Sequence, residues 1–346
     1  MKHLHPVTLG AFTCAGNLFL APVAGWTDAA FRFICAREGA DFTFTELVSA
    51  ESVFRGVSFK RPGKDYILRN TPDFSIAENA AASTAAPAGK PYGIQLFGSC
   101  PQTCAAAVER LAPYKPAVID LNAGCPVPKV TRTGAGSALM KNPPLLARIV
   151  ESLRHASEQF LGGIPVSVKL RSGWDNASVN YLECALRAQD AGAALISLHP
   201  RTRAQGYGGK SDWTQLARLK QALSVPLAGS GDLYTPEDAL RMFAETGCDG
   251  LMFARGAMGN PFIFRMTKSL LETGRYDEPS AAEKLNAAFE HLTLMAAAIG
   301  EKTACLEMRK IFCAYTKGLR GGAELRCRLT HANTIDDYRR ILLPAG

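Results

Sequence analysis

Val118-Ile119-Asp120-Leu121-Asn122-Ala123-Gly124-Cys125-Pro126-Val127-Pro128-Lys129-Val130 is the stretch on which the reading of the fold turns. Its first half is a short run of β-branched and aliphatic residues, the pattern of a buried strand. The run ends on Asn122, a glycine, a cysteine and two prolines, so Cys125 stands where a buried strand hands over to a tight loop. Gly134-Ala135-Gly136-Ser137-Ala138-Leu139 forms a second turn, and Asn142-Pro143-Pro144 opens a helix. Prolines and glycines at this density shape a backbone that aims a side chain. Loops at strand ends are where such folds carry their chemistry, and Cys125 is therefore read as a reactive thiol rather than as packing.

Working outward, short apolar runs alternate with amphipathic stretches, the signature of a parallel α/β fold. Strands are predicted at Leu18–Ala21, Phe42–Thr45, Pro91–Leu96, Val118–Asn122, Pro165–Arg171, Ala194–His199, Val225–Asp232 and Gly250–Gly256. Helices are predicted between them, the first over Ala29–Glu38 with Asp28 as its cap and Gly39 as its stop. Eight strands with intervening helices are the count of a (β/α)8 TIM barrel. A doubly wound sheet would need a glycine-rich dinucleotide turn after the first strand, and Pro22–Asp28 lacks that form. Residues 55–90 interrupt the rhythm and read as a surface loop, with an alanine-rich insertion around 76–90. After Pro261 only helical periodicity remains, so residues 1–262 are expected to form the barrel and 263–346 a small all-helical C-terminal domain. Between Lys302 and His331 that domain carries Lys302, Arg309, Lys310, Lys317, Arg320, Arg326 and Arg328 against Glu307 and Glu324.

Composition narrows the class. With 346 residues and 47% apolar content, the chain can bury a large core. No apolar run approaches the roughly 20 residues that cross a bilayer, and Met1–Pro6 has no signal-peptide core. A cytoplasmic protein with no membrane partner is expected. Ten cysteines without a C-x-x-C pair suit a reducing compartment, and no metal site is predicted. Cys100 and Cys104 are read as packing residues. The net charge of +8 is compatible with a polyanionic partner without requiring one.

In a barrel the C-terminal strand ends share one rim. Here they supply Pro22-Val23-Ala24, Glu46, Gln95, Asn122 with Cys125, Lys169, His199, Ser230-Gly231-Asp232 and Ala254-Arg255. The last two loops place small residues and one arginine where barrels bind phosphate. Lys169, His199 and Gln95 suit a flavin ring better than a metal, because one histidine without a second ligand at metal spacing is a poor site. A cysteine protonated at neutral pH can then act as an acid opposite that ring.

These segments resemble the tRNA-dihydrouridine synthases of bacterial type. The resemblance is carried by Leu20–Asp28, Ile94-Gln95-Leu96, Asp120–Val130, Gly134–Leu139, Lys169-Leu170-Arg171-Ser172-Gly173-Trp174, His199–Tyr207, Gly231-Asp232 and Arg255–Pro261. It implies FMN-dependent, NADPH-driven reduction of the uracil C5=C6 bond of uridines in tRNA, with Cys125 as the general acid. It also implies that Pro22, Val23, Ala24, Gln95, Lys169 and His199 lie against the flavin and that Ser230, Gly231, Asp232, Ala254 and Arg255 hold its phosphate. Asn122, Arg171 and Arg201 are assigned to the substrate, and the helical domain to gripping tRNA. A monomer is expected. Ser230 and Ala254 stand where the family often has asparagine and glycine, and Pro200 follows His199 where it often has glycine. The competing reading is a flavin barrel acting on a free pyrimidine. Which uridine is modified is not encoded in any motif of the sequence.

Overall fold

The structure is a computed structural model that describes residues 3–56 and 90–342. The expected insertion around 76–90 lies outside the described residues, apart from Lys90. Strands are β1 (Val7–Leu9), β2 (Phe12–Cys14), β3 (Leu18–Leu20), β4 (Phe42–Phe44), β5 (Val48–Ser49), β6 (Tyr92–Phe97), β7 (Val118–Ala123), β8 (Val166–Arg171), β9 (Leu195–His199), β10 (Leu227–Ser230) and β11 (Gly250–Phe253). From β3 the pairing runs through β4, β6, β7, β8, β9, β10 and β11 and returns to β3. Every one of these pairings is parallel, so the sheet closes into the predicted eight-stranded barrel. β5 adds a short extension along the upper half of β6.

Side chains alternate across a strand, and β7 shows what that does here. Ile119, Leu121 and Ala123 pack outward under the helices in the main apolar core, while Val118 joins a separate inner cluster with Phe19, Phe42, Phe44 and Met252. Asp120 and Asn122, on the same face as Val118, therefore point into the barrel. Its lower interior is apolar and its upper interior polar. The hairpin β1–β2, not foreseen from sequence, adds Val7, Leu9 and Cys14 to the inner cluster and covers the lower end.

Around the ring, sequence and structure agree on most helices. Asp28 accepts from the Phe31 N–H at the start of Ala29–Arg37, as its capping role requires. Cys104 is buried as expected, but Cys100 is exposed, so it is not the packing residue anticipated. The helix Ile263–Thr273 follows the last barrel strand. It packs along Pro236–Thr246, and its Lys268 reaches Asp41 at 2.6 Å, just before β4. It is thus the eighth outer helix, and the purely helical region begins after Gly274, at Ala281–Ile299.

That region continues through Glu301–Tyr315, Gly322–His331 and Ile335–Leu342, and it docks on the first barrel helix. Buried His291 lies 3.2 Å from Asp28, and the Tyr315 hydroxyl lies 3.4 Å from the other ring nitrogen. Arg37 donates to Glu290 at 2.7 Å beside them. Gly259, at φ +67°, lets the backbones touch, since a Cβ there would stand 2.5 Å from the Ala314 carbonyl carbon. None of the described helices is long and apolar enough to cross a membrane.

Candidate active site

A cavity of about 290 Å³ opens at the C-terminal ends of the barrel strands. Pro22, Val23, Ala24, Asn122, Cys125, Lys169, Arg171, His199, Ser230, Gly231, Asp232, Ala254 and Arg255 all line it. Loops far apart in sequence converge there because parallel strands end on one rim. Three of the expected rim and substrate residues do not line it, and one of them is the buried Glu46. Gln95 is fully buried beneath the floor, and Arg201, only 2% exposed, lies behind the wall. Sequence reading missed Leu47, Val127, Tyr207 and Tyr234, which do line the cavity. Tyr207 was within a quoted motif, and its position after Gly206 in a strand-end loop was the available signal.

The thiol side is built from directed hydrogen bonds. Asn122 Oδ1 accepts from the Cys125 N–H at 2.8 Å and from the Gly124 N–H at 3.2 Å. Ser137 donates twice to the Cys125 carbonyl, from its N–H at 3.1 Å and its hydroxyl at 2.9 Å. Gly136, at φ +61°, is required for that approach, since a Cβ would fall 2.9 Å from the Cys125 oxygen. Arg171 Nε donates to the Gly124 carbonyl at 2.9 Å, and its Nη1 donates to the carbonyls of Thr202 and Gly206. One guanidinium thus ties the β7 and β9 loops together.

The opposite side is ionic. Arg201 pairs with both oxygens of Asp232, at 2.8 and 2.7 Å, and Arg255 reaches the same carboxylate at 3.1 Å. The Ser211 N–H donates to it at 2.8 Å. The Asp232 carboxylate is therefore occupied by two guanidinium groups and a backbone N–H. The Asp232 backbone sits at φ +58°, a left-handed value costly for a non-glycine residue. Gly231 beside it has no room for a side chain, since a Cβ would stand 2.6 Å from the His199 ring. Arg255 is stacked between Tyr207 and Tyr234, with its guanidinium 4.5 and 5.2 Å from the two ring centres.

Burial and charge set the protonation states. Burial pushes the Cys125 thiol above its ordinary value, against the pull of the Val127 N–H and the Arg171 and Lys169 charges, so at neutral pH it holds its proton. Burial, helped by Arg171, brings Lys169 down to about 8. Burial and four neighbouring cations hold His199 down at about 2, so the imidazole is neutral. It accepts at Nε2 from Arg201 at 3.3 Å, which leaves the proton on Nδ1. Burial opposes the Asp232 charge, yet Arg201 and the Ser211 N–H bring its carboxyl below the usual range.

The residues fit a flavin mononucleotide. A glycine turn with no space for a Cβ, a stacked arginine and the strand-end backbones of β10 and β11 suit a phosphate, and a buried lysine suits a ring that becomes anionic on reduction. Among the described residues no group of three or more His, Cys, Asp or Glu side chains is arranged to hold a metal.

Comparison with known proteins finds relatives over nearly the whole chain. A chain from Treponema pallidum described as a probable tRNA-dihydrouridine synthase is 42% identical over 347 residues, covering 99% of this chain and 96% of the relative. The tRNA-dihydrouridine synthase B of Pseudomonas putida is 33% identical over 332 residues, covering 96% of this chain and 90% of the relative. Among solved structures, the old yellow enzyme homologue from Zymomonas mobilis superposes with a TM-score of 0.54 at 12% identity, over 82% of this chain and 96% of that one, which reflects the shared fold. The family model for dihydrouridine synthase (Dus) matches residues 19–343, and with that span and those identities the chain belongs to the dihydrouridine synthase family.

Proposed function

We propose that the protein reduces the C5=C6 bond of specific uridines in tRNA to 5,6-dihydrouridine, using FMN as its flavin and NADPH as the electron source. The observation that carries this reading is Cys125. It is a thiol that burial keeps protonated, held by backbone bonds at the wall of a cationic pocket that Lys169 and His199 also line. The flavin, when bound, supplies the hydride that goes to uracil C6. Cys125 gives its proton to C5, and the thiolate formed is stabilised by the charges of Arg171 and Lys169. Solvent then restores the proton.

The remaining residues orient and exclude. Pro22, Val23 and Ala24 present a turn fixed by Thr27, whose hydroxyl accepts from the Val23 N–H at 2.9 Å and donates to its carbonyl at 3.2 Å. Such a turn offers the flavin ring a flat backbone edge. Ser230, Gly231, Asp232, Ala254 and Arg255 hold the phosphate, with Asp232 acting through its backbone and through its grip on Arg255. Arg171 keeps Nη2 without a hydrogen-bond partner among the described residues, and it is our candidate for a uracil carbonyl. Asn122 lines the pocket beside it. Arg201 serves the substrate indirectly, by shaping Asp232 and the β9 loop.

A base inside folded tRNA reaches this cavity only when swung out of its stack, at a cost of roughly a few kcal/mol. Cations on the phosphate backbone offset that cost. Lys302, Lys310, Lys317, Arg320 and Arg328 are exposed on the helical region. Lys310 reaches over Trp26, with its Nζ 5.8 Å from the ring centre, next to the turn that carries Pro22–Ala24. Lys310 therefore stands beside the turn that lines the pocket, a position that favours a tRNA over a free pyrimidine.

The test is to give the purified, flavin-loaded protein NADPH and either unmodified tRNA or free uridine, and to measure dihydrouridine. Turnover on tRNA without turnover on the nucleoside is the expected result. Efficient reduction of the free nucleoside with none on tRNA would overturn the assignment.

A further inference from the structure

Below the floor of the cavity lies a buried polar layer that none of the assigned roles uses. Asp120, 1% exposed, accepts at Oδ1 from the Ser167 hydroxyl and at Oδ2 from the Gln95 amide nitrogen, each at 2.5 Å. The other end of Gln95, its Oε1, accepts from the Asn122 amide nitrogen at 2.8 Å. Asn122 Oδ1 in turn accepts from the N–H groups of Gly124 and Cys125. The bonds form one unbroken path from β8 through β7 and β6 to the loop that carries the thiol.

The path has a direction. Burial raises the Asp120 carboxyl to about 6, so at neutral pH it is ionised and offers only acceptors, and Gln95 must turn its nitrogen toward it. Its oxygen then faces Asn122, which must present nitrogen to it. Only the Asn122 oxygen is left to meet the two backbone donors. Reversing either amide would set donor against donor and oxygen against oxygen among buried groups, where unmade hydrogen bonds are costly. We propose that Asp120 is a positioning residue for Cys125, fixing the orientation of two amides in series and through them the backbone that aims the thiol. Lys169, the charged neighbour on β8, contributes attraction to Asp120 but no link in the path.

The proposal rests on Cys125 being the proton donor, so its test reads the thiol directly, whether or not uridine is reduced. The full-length protein is treated with iodoacetamide, and alkylation at Cys125 is followed by site-resolved mass spectrometry, which separates it from the exposed Cys100, Cys313 and Cys327. Asp120→Ala removes the anchor, so the loop opens and Cys125, 8% exposed in the native protein, reacts about threefold faster or more. Its kcat for tRNA reduction falls about tenfold or more, with KM changed less than about twofold. Asp120→Asn keeps the path, because its oxygen faces Gln95 while its nitrogen donates to the Ser167 hydroxyl, and it alkylates at the native rate.

A charge-conserving swap covers the case in which Asp120→Ala does not fold. Gln95→Glu alone sets two carboxylates against each other and frees the thiol. Combined with Asp120→Asn, it lets the new amide donate to Glu and accept from Ser167, and native alkylation returns. An unchanged rate in Asp120→Ala, an Asp120→Asn protein as reactive as Asp120→Ala, or no recovery in the double variant would each overturn the proposal.

Discussion

The two sides of the pocket are held by different forces. From β6 to β8, amides, hydroxyls and backbone groups make directed bonds that converge on Cys125. From β9 to β11, one carboxylate gathers two guanidinium groups, and the residues around it carry positive charge and glycine. A proton donor must point along one line, and hydrogen bonds weaken steeply off-axis, so they transmit direction. An anion needs favourable potential more than direction, and ion pairs supply that. The contrast separates a part of the site that aims from a part that attracts.

The largest effect is expected on the ionic side. Arg201→Met leaves Asp232 with only Arg255 and the Ser211 N–H as partners among the described residues, and removes the bonds to the Gly208 and Gly209 carbonyls. Asp232 keeps 24% exposure, so the loss of stability is about 2–4 kcal/mol rather than the full figure for a deeply buried pair. Urea unfolding measures it, and FMN affinity falls with it. The alkylation rate of Cys125 stays native if the two sides are independent; a change there would break the division.

A smaller loss comes from the aiming side. Gly136→Ala forces a side chain at positive φ against the Cys125 carbonyl, costing about 1–3 kcal/mol by the same unfolding measurement. The thiol shifts with its backbone, so kcat falls more than FMN affinity does. If FMN affinity fell first, the glycine would belong to the cofactor side.

The mildest prediction concerns pH. Lys169 sits lowered from its ordinary value to about 8, so it is charged below that pH and loses its proton as pH rises through it. The charge that steadies the reduced ring and the thiolate is then absent, and kcat/KM for tRNA falls by about tenfold per pH unit above that point. His199, neutral throughout, contributes no inflection near pH 6.5. A profile with its main step at histidine's ordinary value would contradict both statements.

Much of this was legible in the residues. Buried parallel strands are continuous apolar runs, so all eight barrel strands and their polar ends stood out, and the rim followed from topology. β1 and β2 were missed because they carry no continuous apolar run: Val7-Thr8-Leu9-Gly10-Ala11-Phe12-Thr13-Cys14 alternates apolar and polar residues about a glycine turn. Asp120 was read only as part of a motif. Its two-residue spacing from Asn122 places both inside the barrel, but its partners Gln95 and Ser167 come from neighbouring strands and no local pattern names them. Arg201 looked like a substrate contact because a strand-end arginine carries no mark of burial. The helix Ile263–Thr273 could not be assigned to the barrel from periodicity, since its membership depends on contacts with Pro236–Thr246 and Asp41.

The central claim is that the Cys125 thiol delivers the proton to uracil, and one rate tests it. The flavin-loaded enzyme is first reduced with NADPH, then mixed with unmodified tRNA, and flavin reoxidation and dihydrouridine formation are followed in a single turnover. Cys125→Ala is predicted to bind FMN and tRNA as the native protein does and to react slower by about 10²–10⁴-fold, the range for loss of a positioned acid. A Cys125→Ala enzyme that forms dihydrouridine at the native rate would contradict the account.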